Sequence, residues 1–192
     1  MDELMQCAQT FSHMVGKDYI LTLENGIVLH IYFQKDQLRH LLGLHKLTDL
    51  NIFQANSKIS AGAIFKMIHN GKLTLNDIKK SSFYGKVEQR IKLFPLIESV
   101  FDKKIVVDFD AHLPENCVLP AEYILYNRYL DGFLHLAIGH DINGQFPLSF
   151  FFEPTNYYVS GQNLLEVVSL EIVEFHPKGR YKRTVHTQAP ED

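Results

Sequence analysis

The second half of the sequence carries a series of short strand-forming runs joined by turn-forming pairs, and this pattern limits the fold more than any other feature. The turns are Asp131-Gly132, Asn143-Gly144 and Ser160-Gly161. Connections this short favour antiparallel pairing of consecutive strands. The predicted strands span residues 104–109, 121–129, 133–139, 146–152 and 164–175.

The first half is mostly helical, with an early hairpin. Asn25-Gly26 lies between strand-forming runs at 19–23 and 27–33 and predicts a tight turn. Apolar residues at helical spacing predict helices over 1–15, 60–69 and 86–101, with Pro95 dividing the last. Ser60 is a candidate N-cap, and Thr74 with Asp77 forms a capping-box pattern for another short helix. The predicted fold class is α+β, with an N-terminal helix and β-hairpin, a helical middle and a C-terminal antiparallel β-sheet.

Length and composition predict one domain over residues 1–177. The chain has 192 residues, of which 46% are hydrophobic and 21% charged, as in ordinary globular proteins. A net charge of -3 argues against a general nucleic-acid coating role but allows a local basic site. The cysteines Cys7 and Cys117 predict neither a disulfide framework nor a four-ligand zinc site. With no predicted membrane span or signal peptide, the expected location is the cytoplasm, with no membrane partner.

Residues 178–192 are predicted to be a basic, flexible C-terminal tail. The segment carries Lys178, Arg180, Lys182 and Arg183 and lacks an apolar period. A solvated terminus and an arm that binds RNA phosphates both fit this composition.

His40 to Leu50 is an apolar run interrupted by two imidazoles and an amine. Helical spacing of its leucines predicts a helix with one buried stripe, and His45 belongs on or beside that stripe with Lys46 directly after it. One interpretation is a buried histidine whose ring nitrogens are satisfied by backbone groups. The other is a titratable imidazole in a partly desolvated pocket beside a cation.

Several other polar residues interrupt apolar segments. Ser149 lies within an aromatic strand, Arg90 flanks a helical stripe, and Tyr126 and Arg128 share one face of a strand. Together with His45 and Lys46 they are the residue types needed to hold a phosphodiester and move protons around it. Common phosphate-loop, zinc-protease and serine-hydrolase motifs are absent.

One metal-like pattern is present in Asp108, Asp110 and His112, which alternate along a predicted strand. The pattern is weak, because it offers only three ligands and Pro114 indicates that the strand ends there. The primary prediction is therefore a protein without a metal or other cofactor. A metal-dependent hydrolase is the alternative.

The order of four segments resembles the phage-associated branch of the BECR nucleases, the superfamily that groups barnase, EndoU, colicin-type and RelE-like ribonucleases. The resemblance covers roughly residues 18–175, and its most specific part is Leu44-His-Lys-Leu47. The segments that carry it are Gly43-Leu-His-Lys-Leu-Thr-Asp49, Arg90-Ile-Lys92, Tyr123-Ile-Leu-Tyr126 and Pro147-Leu-Ser-Phe-Phe151.

The resemblance implies a metal-independent endoribonuclease, deployed as a toxin or in phage and host conflict, with an antitoxin or immunity protein as a partner. From the residue types, the hypothesis is that 2′-hydroxyl attack cleaves RNA and that His45, Lys46, Arg90, Tyr126 and Ser149 are catalytic residues that converge on one cleft. The RNA-binding residues are predicted to be Arg128 and the four basic residues of the tail. The alternative is a non-catalytic RNA- or protein-binding module with the same fold.

Overall fold

Five α-helices form in the described part of the chain. The computed structural model describes residues 1–142, 144–175 and 182–188, with residues 175 and 182–188 described as backbone alone. The helices are α1 Glu3–Met14, α2 Leu38–Leu41, α3 Ala61–His69, α4 Leu75–Ile78 and α5 Glu88–Leu93. Short 3-10 helices span Lys35–Gln37, Leu44–Lys46, Asn51–Phe53, Tyr84–Lys86 and Phe94–Phe101. No helix in these residues combines the length and apolar character that a membrane span requires.

The predicted helix caps are confirmed. Ser60 Oγ accepts a hydrogen bond from the Ala63 amide at 3.2 Å and begins α3. Thr74 and Asp77 form the reciprocal capping box that begins α4. Each interaction satisfies amide groups that have no partner within the helix. The division of the third predicted helix at Pro95 is also confirmed, because α5 passes into a 3-10 helix at Phe94.

The prediction of one helix through His45 is wrong. Helix α2 ends at Leu41, and Gly43 adopts a positive φ of 73° before a 3-10 turn over Leu44–Lys46. Leu41, Leu42, Leu44 and Leu47 are nevertheless buried, because two short turns can direct them to one core as a longer helix would. Apolar spacing alone did not distinguish these arrangements.

The described residues form eight strands, and every strand predicted from sequence is among them. They are β1 Lys17–Leu23, β2 Val28–Tyr32, β3 Ile105–Asp108, β4 Tyr123–Tyr129, β5 Gly132–Asp141, β6 Gly144–Glu153, β7 Asn163–Phe175 and β8 Lys182–Gln188. Strand β8 was not predicted; it lies within the segment assigned to the tail and pairs with β7. Asn143, half of a predicted turn, lies outside the described residues.

The strands close into a seven-stranded barrel rather than an open C-terminal sheet. The order is β1-β2-β6-β5-β4-β3-β7, and β7 returns to pair with β1. The early hairpin is therefore part of the same sheet, and its β2 strand meets β6 in a parallel pairing through Ile31 and Gln145. The sequence-based expectation of a separate hairpin and an all-antiparallel sheet is wrong on both points. Closure gives the hairpin and β7 partners on edges that would otherwise be unpaired.

Two hydrophobic clusters lie on opposite faces of the strands. The larger joins the strands to the helices, with Phe11 of α1 packing on Phe33, Phe65 and Phe94 at ring-centroid distances of 6.0–6.2 Å. The smaller includes Tyr126 on the other face. Alternation along β6 gives Phe150 to the larger cluster and leaves Ser149, Phe151 and Glu153 on the second face.

Candidate active site

A cleft of about 730 Å³ opens on the second face of β6. The 3-10 turn Leu44–Lys46 and helix α5 form one wall, the loop after β3 forms another, and the turn after β6 closes one end. A register shift beside Leu148 turns both Leu148 and Ser149 toward the cleft. The lining side chains used below are His40, His45, Lys46, Lys86, Arg90, Ser149, Phe151, Phe152, Glu153, Tyr157 and Tyr158.

Arg90 is held in the cleft by contacts with β6. Its Nη1 donates a hydrogen bond to Ser149 Oγ at 3.0 Å, and its guanidinium carbon lies 6.0 Å from the centre of the Phe151 ring. Gly43 lies against this side chain, and a Cβ at residue 43 would be in van der Waals contact with Arg90 Cδ at 3.4 Å. Burial lowers the pKa of Arg90, but a guanidinium remains charged at any physiological pH. The hydrogen bond therefore holds the Ser149 hydroxyl and the Arg90 guanidinium next to each other in the cleft.

His45 lies beside Arg90 in its neutral form. Its pKa is lowered to about 4, with burial as the largest cause. The neighbouring His40, Lys46, Arg90 and Arg39 also contribute to lowering this pKa. Its Nδ1 is buried and has no hydrogen-bond partner among the described residues. The His40 ring packs against it with centroids 4.7 Å apart. A neutral imidazole can accept a proton or a hydrogen bond from a substrate hydroxyl.

The cleft concentrates positive charge around His45. Burial makes the largest contribution to lowering the pKa of Lys46, and the nearby Arg90 and Lys86 lower it further. Among the described residues, no carboxylate lies within 4.0 Å of the charged nitrogens of Lys46, Lys86 or Arg90. A bound anion would stabilise these unpaired cations, whose like charges otherwise repel one another.

A scan against family models found a match over residues 3–172 to PBECR4, described as phage-Barnase-EndoU-ColicinE5/D-RelE like nuclease 4. The chain belongs to this nuclease family. The match confirms the resemblance drawn from sequence and covers α1 through most of β7. Searches of curated proteins and of solved structures found no match.

Two residues predicted to act in this PBECR4 nuclease-family member lie outside the cleft lining. Tyr126 is 4% exposed and packs behind Phe151, separated from it by His135. Arg128 is exposed farther along β4. The prediction that Tyr126 shares the cleft is therefore wrong. Three adjacent strands place Phe151, His135 and Tyr126 side by side, so Tyr126 is two strands away from the cleft.

The cleft of this family member also contains residues that sequence reasoning missed. Tyr158 lies close enough to Arg90 for the two to affect each other's pKa, although burial makes the largest contribution to raising the pKa of Tyr158. His40 and Lys86 line the same wall as His45. Tyr157 and Tyr158 come soon after β6, the strand that carries Ser149. This closeness in sequence was the one local sign that they belong to the site. Their position depends on the turn after β6, which periodicity does not predict.

In the PBECR4 chain, the three residues of the metal-like pattern are not among the residues that line the cleft. Asp108 accepts a hydrogen bond from Asn163, and Asp110 accepts one from the His112 amide. Among the described residues, no three His, Cys, Asp or Glu side chains form a group that could hold a metal ion. Lys178 and Arg180 lie outside the described residues, as do the side chains of Lys182 and Arg183.

Proposed function

We propose that this chain is a metal-independent endoribonuclease that acts as a toxin or effector in conflict between phage and host. Its family membership supports nuclease activity. The convergence of His45, Lys46, Arg90 and Ser149 on one cleft carries the more specific proposal. These side chains supply a proton acceptor, cations and a hydroxyl without requiring a metal.

The proposed reaction is attack of a ribose 2′-hydroxyl on the adjacent phosphorus. Neutral His45 accepts the hydroxyl proton as the bond from O2′ to phosphorus forms. The bond from phosphorus to O5′ then breaks, leaving a 2′,3′-cyclic phosphate and a 5′-hydroxyl. A bound phosphate would offset the cations that surround His45 and raise its pKa from about 4 toward neutrality, where a proton acceptor is most effective.

Arg90 and Lys46 are assigned to the phosphate. Arg90 is held by Ser149 and can donate to a non-bridging oxygen as negative charge accumulates there. Lys46, whose pKa is lowered, is a better proton donor to the leaving O5′ than an ordinary lysine would be.

The deciding experiment incubates purified protein with total RNA in EDTA and identifies the fragment ends. Cleavage should survive chelation and leave 2′,3′-cyclic phosphate or 3′-phosphate ends. Activity abolished by EDTA would contradict the metal-independent mechanism. Failure to cleave any RNA would favour a binding module with the same fold.

His45→Ala should reduce the cleavage rate by about 10² to 10⁴, because no neighbouring serine, tyrosine or lysine titrates near neutrality in its ordinary state. The measurement is the single-turnover rate on a defined RNA, with folding checked by circular dichroism. His69→Ala is the matched control, because His69 is exposed on α3 and outside the cleft lining. Full activity in folded His45→Ala protein would disprove the assigned role.

A further inference from the structure

The cleft has two chemically different ends. Lys46, Lys86 and Arg90 form a cationic end with the imidazoles, whereas Glu153, Tyr157 and Tyr158 form an aromatic end with a carboxylate. Glu153 is the single carboxylate among the residues that line the cleft. A ligand that fits both ends must carry an anion on one side and a flat group with hydrogen-bond donors on the other.

The two ends are separated along β6. Ser149, which binds Arg90, and Glu153 are four residues apart on one face of the strand, or about 13 Å. Phe151 lies between them on the same face, with Arg90 over its ring. With the reach of the Arg90 and Glu153 side chains, this separation suits one nucleotide whose phosphate is at Arg90.

Glu153 is held in place but keeps free acceptor capacity. Its Oε1 accepts hydrogen bonds from the Thr155 amide at 3.3 Å and the Thr155 hydroxyl at 3.1 Å. The Thr155 hydroxyl also accepts from the Tyr157 amide at 3.3 Å, which ties the carboxylate to the aromatic turn. Among the described residues, Oε2 has no hydrogen-bond partner. A fixed carboxylate with an unused oxygen is suited to bind N–H groups on a base edge.

We propose that this end of the cleft is a nucleobase subsite and that Glu153 selects guanine. This inference rests on the proposed function, because it names the base adjacent to the phosphate that is cleaved. Guanine presents two adjacent donors, N1–H and the 2-amino group, to the two oxygens of a carboxylate. Adenine, cytosine and uracil each place an acceptor beside their donor on the corresponding edge, and the carboxylate repels it.

The test measures binding of 3′-GMP, 3′-IMP, 3′-AMP and 3′-UMP by calorimetry. Wild-type protein should bind 3′-GMP at least about ten-fold more tightly than 3′-UMP and 3′-AMP, with 3′-IMP intermediate because it lacks the 2-amino group. Glu153→Gln should remove most of this preference while leaving 3′-UMP affinity within about two-fold. Glu122→Gln is the matched control, because it removes the same charge from an exposed position outside the cleft lining.

Equal affinity for all four nucleotides, binding of none, or a preference that survives Glu153→Gln in folded protein would overturn the guanine subsite. The binding readout separates this inference from catalysis. RNA cleavage with no base preference would retain the ribonuclease and reject the subsite. Selective 3′-GMP binding without RNA cleavage would retain the subsite and reject the catalytic proposal.

Discussion

At the scale of single residues, His135 is an unusual group in this core. It is 0% exposed, and neither ring nitrogen has a hydrogen-bond partner among the described residues. Its ring stacks on Phe151 at 5.0 Å and on Tyr126 at 6.2 Å, and Lys103 Nζ lies 3.8 Å from the Tyr126 ring centre. The stack supports Phe151, the ring that Arg90 covers. Burial lowers the pKa of His135 to about 4, so it is neutral at pH 7.

This depressed pKa predicts a loss of stability in acid. The unfolded chain takes up a proton on His135 as the pH falls through about 6.5, whereas the folded chain does so only near 4. The free energy of unfolding should therefore decrease between these pH values, by up to about 3 kcal/mol from this residue. His135→Phe should preserve the stack and reduce proton uptake on unfolding at pH 5 by almost one, as measured by urea unfolding across pH.

The exposed His69→Phe serves as the control for this measurement and should leave the pH dependence unchanged. A pH profile that is the same in His135→Phe and the wild type would show that His135 does not titrate abnormally. His45 has a similar depressed pKa, so some acid sensitivity should remain in the variant.

At the scale of elements, the turn at Gly43 sets the geometry of the candidate site. Its φ of 73° ends the α2 segment and begins the 3-10 turn that carries His45 and Lys46. The same glycine lies against the Arg90 side chain. Gly43 therefore sets the position of His45 relative to the Arg90 guanidinium.

Gly43→Ala should lower the free energy of unfolding by about 1–2 kcal/mol, because an L side chain is strained at this φ. It should also lower RNA cleavage, because relief of this strain would shift the 3-10 turn that carries His45 and Lys46 relative to Arg90. Urea unfolding and single-turnover cleavage test the two effects. In contrast, Gly62→Ala on α3 has open space around its Cβ and should raise stability slightly without changing cleavage. Equal behaviour of the two variants would contradict this role for Gly43.

At the scale of the whole molecule, charge is distributed unevenly along the chain. Residues 39–104 contain twelve Lys or Arg and five Asp or Glu, although the full chain has a net charge of -3. This segment supplies the cationic end of the cleft, whereas residues 105–192 contain twelve Asp or Glu and five Lys or Arg. A local basic site in an acidic protein limits nonspecific binding to nucleic acid.

The basic residues beyond Pro177 are predicted to extend this RNA contact. Replacing Lys178, Arg180, Lys182 and Arg183 together by Gln should weaken RNA binding and lower the slope of log affinity against log salt by up to about 3. Substitution is preferable to truncation, because β8 pairs with β7 through its backbone. Fluorescence anisotropy over a salt series measures the slope, and an unchanged slope would assign this segment no phosphate contacts.

Short-range sequence patterns predicted several local elements and four polar side chains that line the cleft. Caps at Ser60 and Thr74, the Asn25-Gly26 turn and the alternation along β6 are short-range features that need no distant partner. The polar exceptions His45, Lys46, Arg90 and Ser149 were found because burying each is costly unless it has a partner or a function.

The way these parts meet depends on long-range packing. Closure of β1 onto β7 and the parallel contact of β2 with β6 join residues more than a hundred positions apart, which local patterns do not encode. The same long-range packing placed Tyr126 behind the cleft and brought Glu153 and Tyr158 into it. A side chain's face follows from its strand, but its neighbours depend on which strands and loops pack beside it.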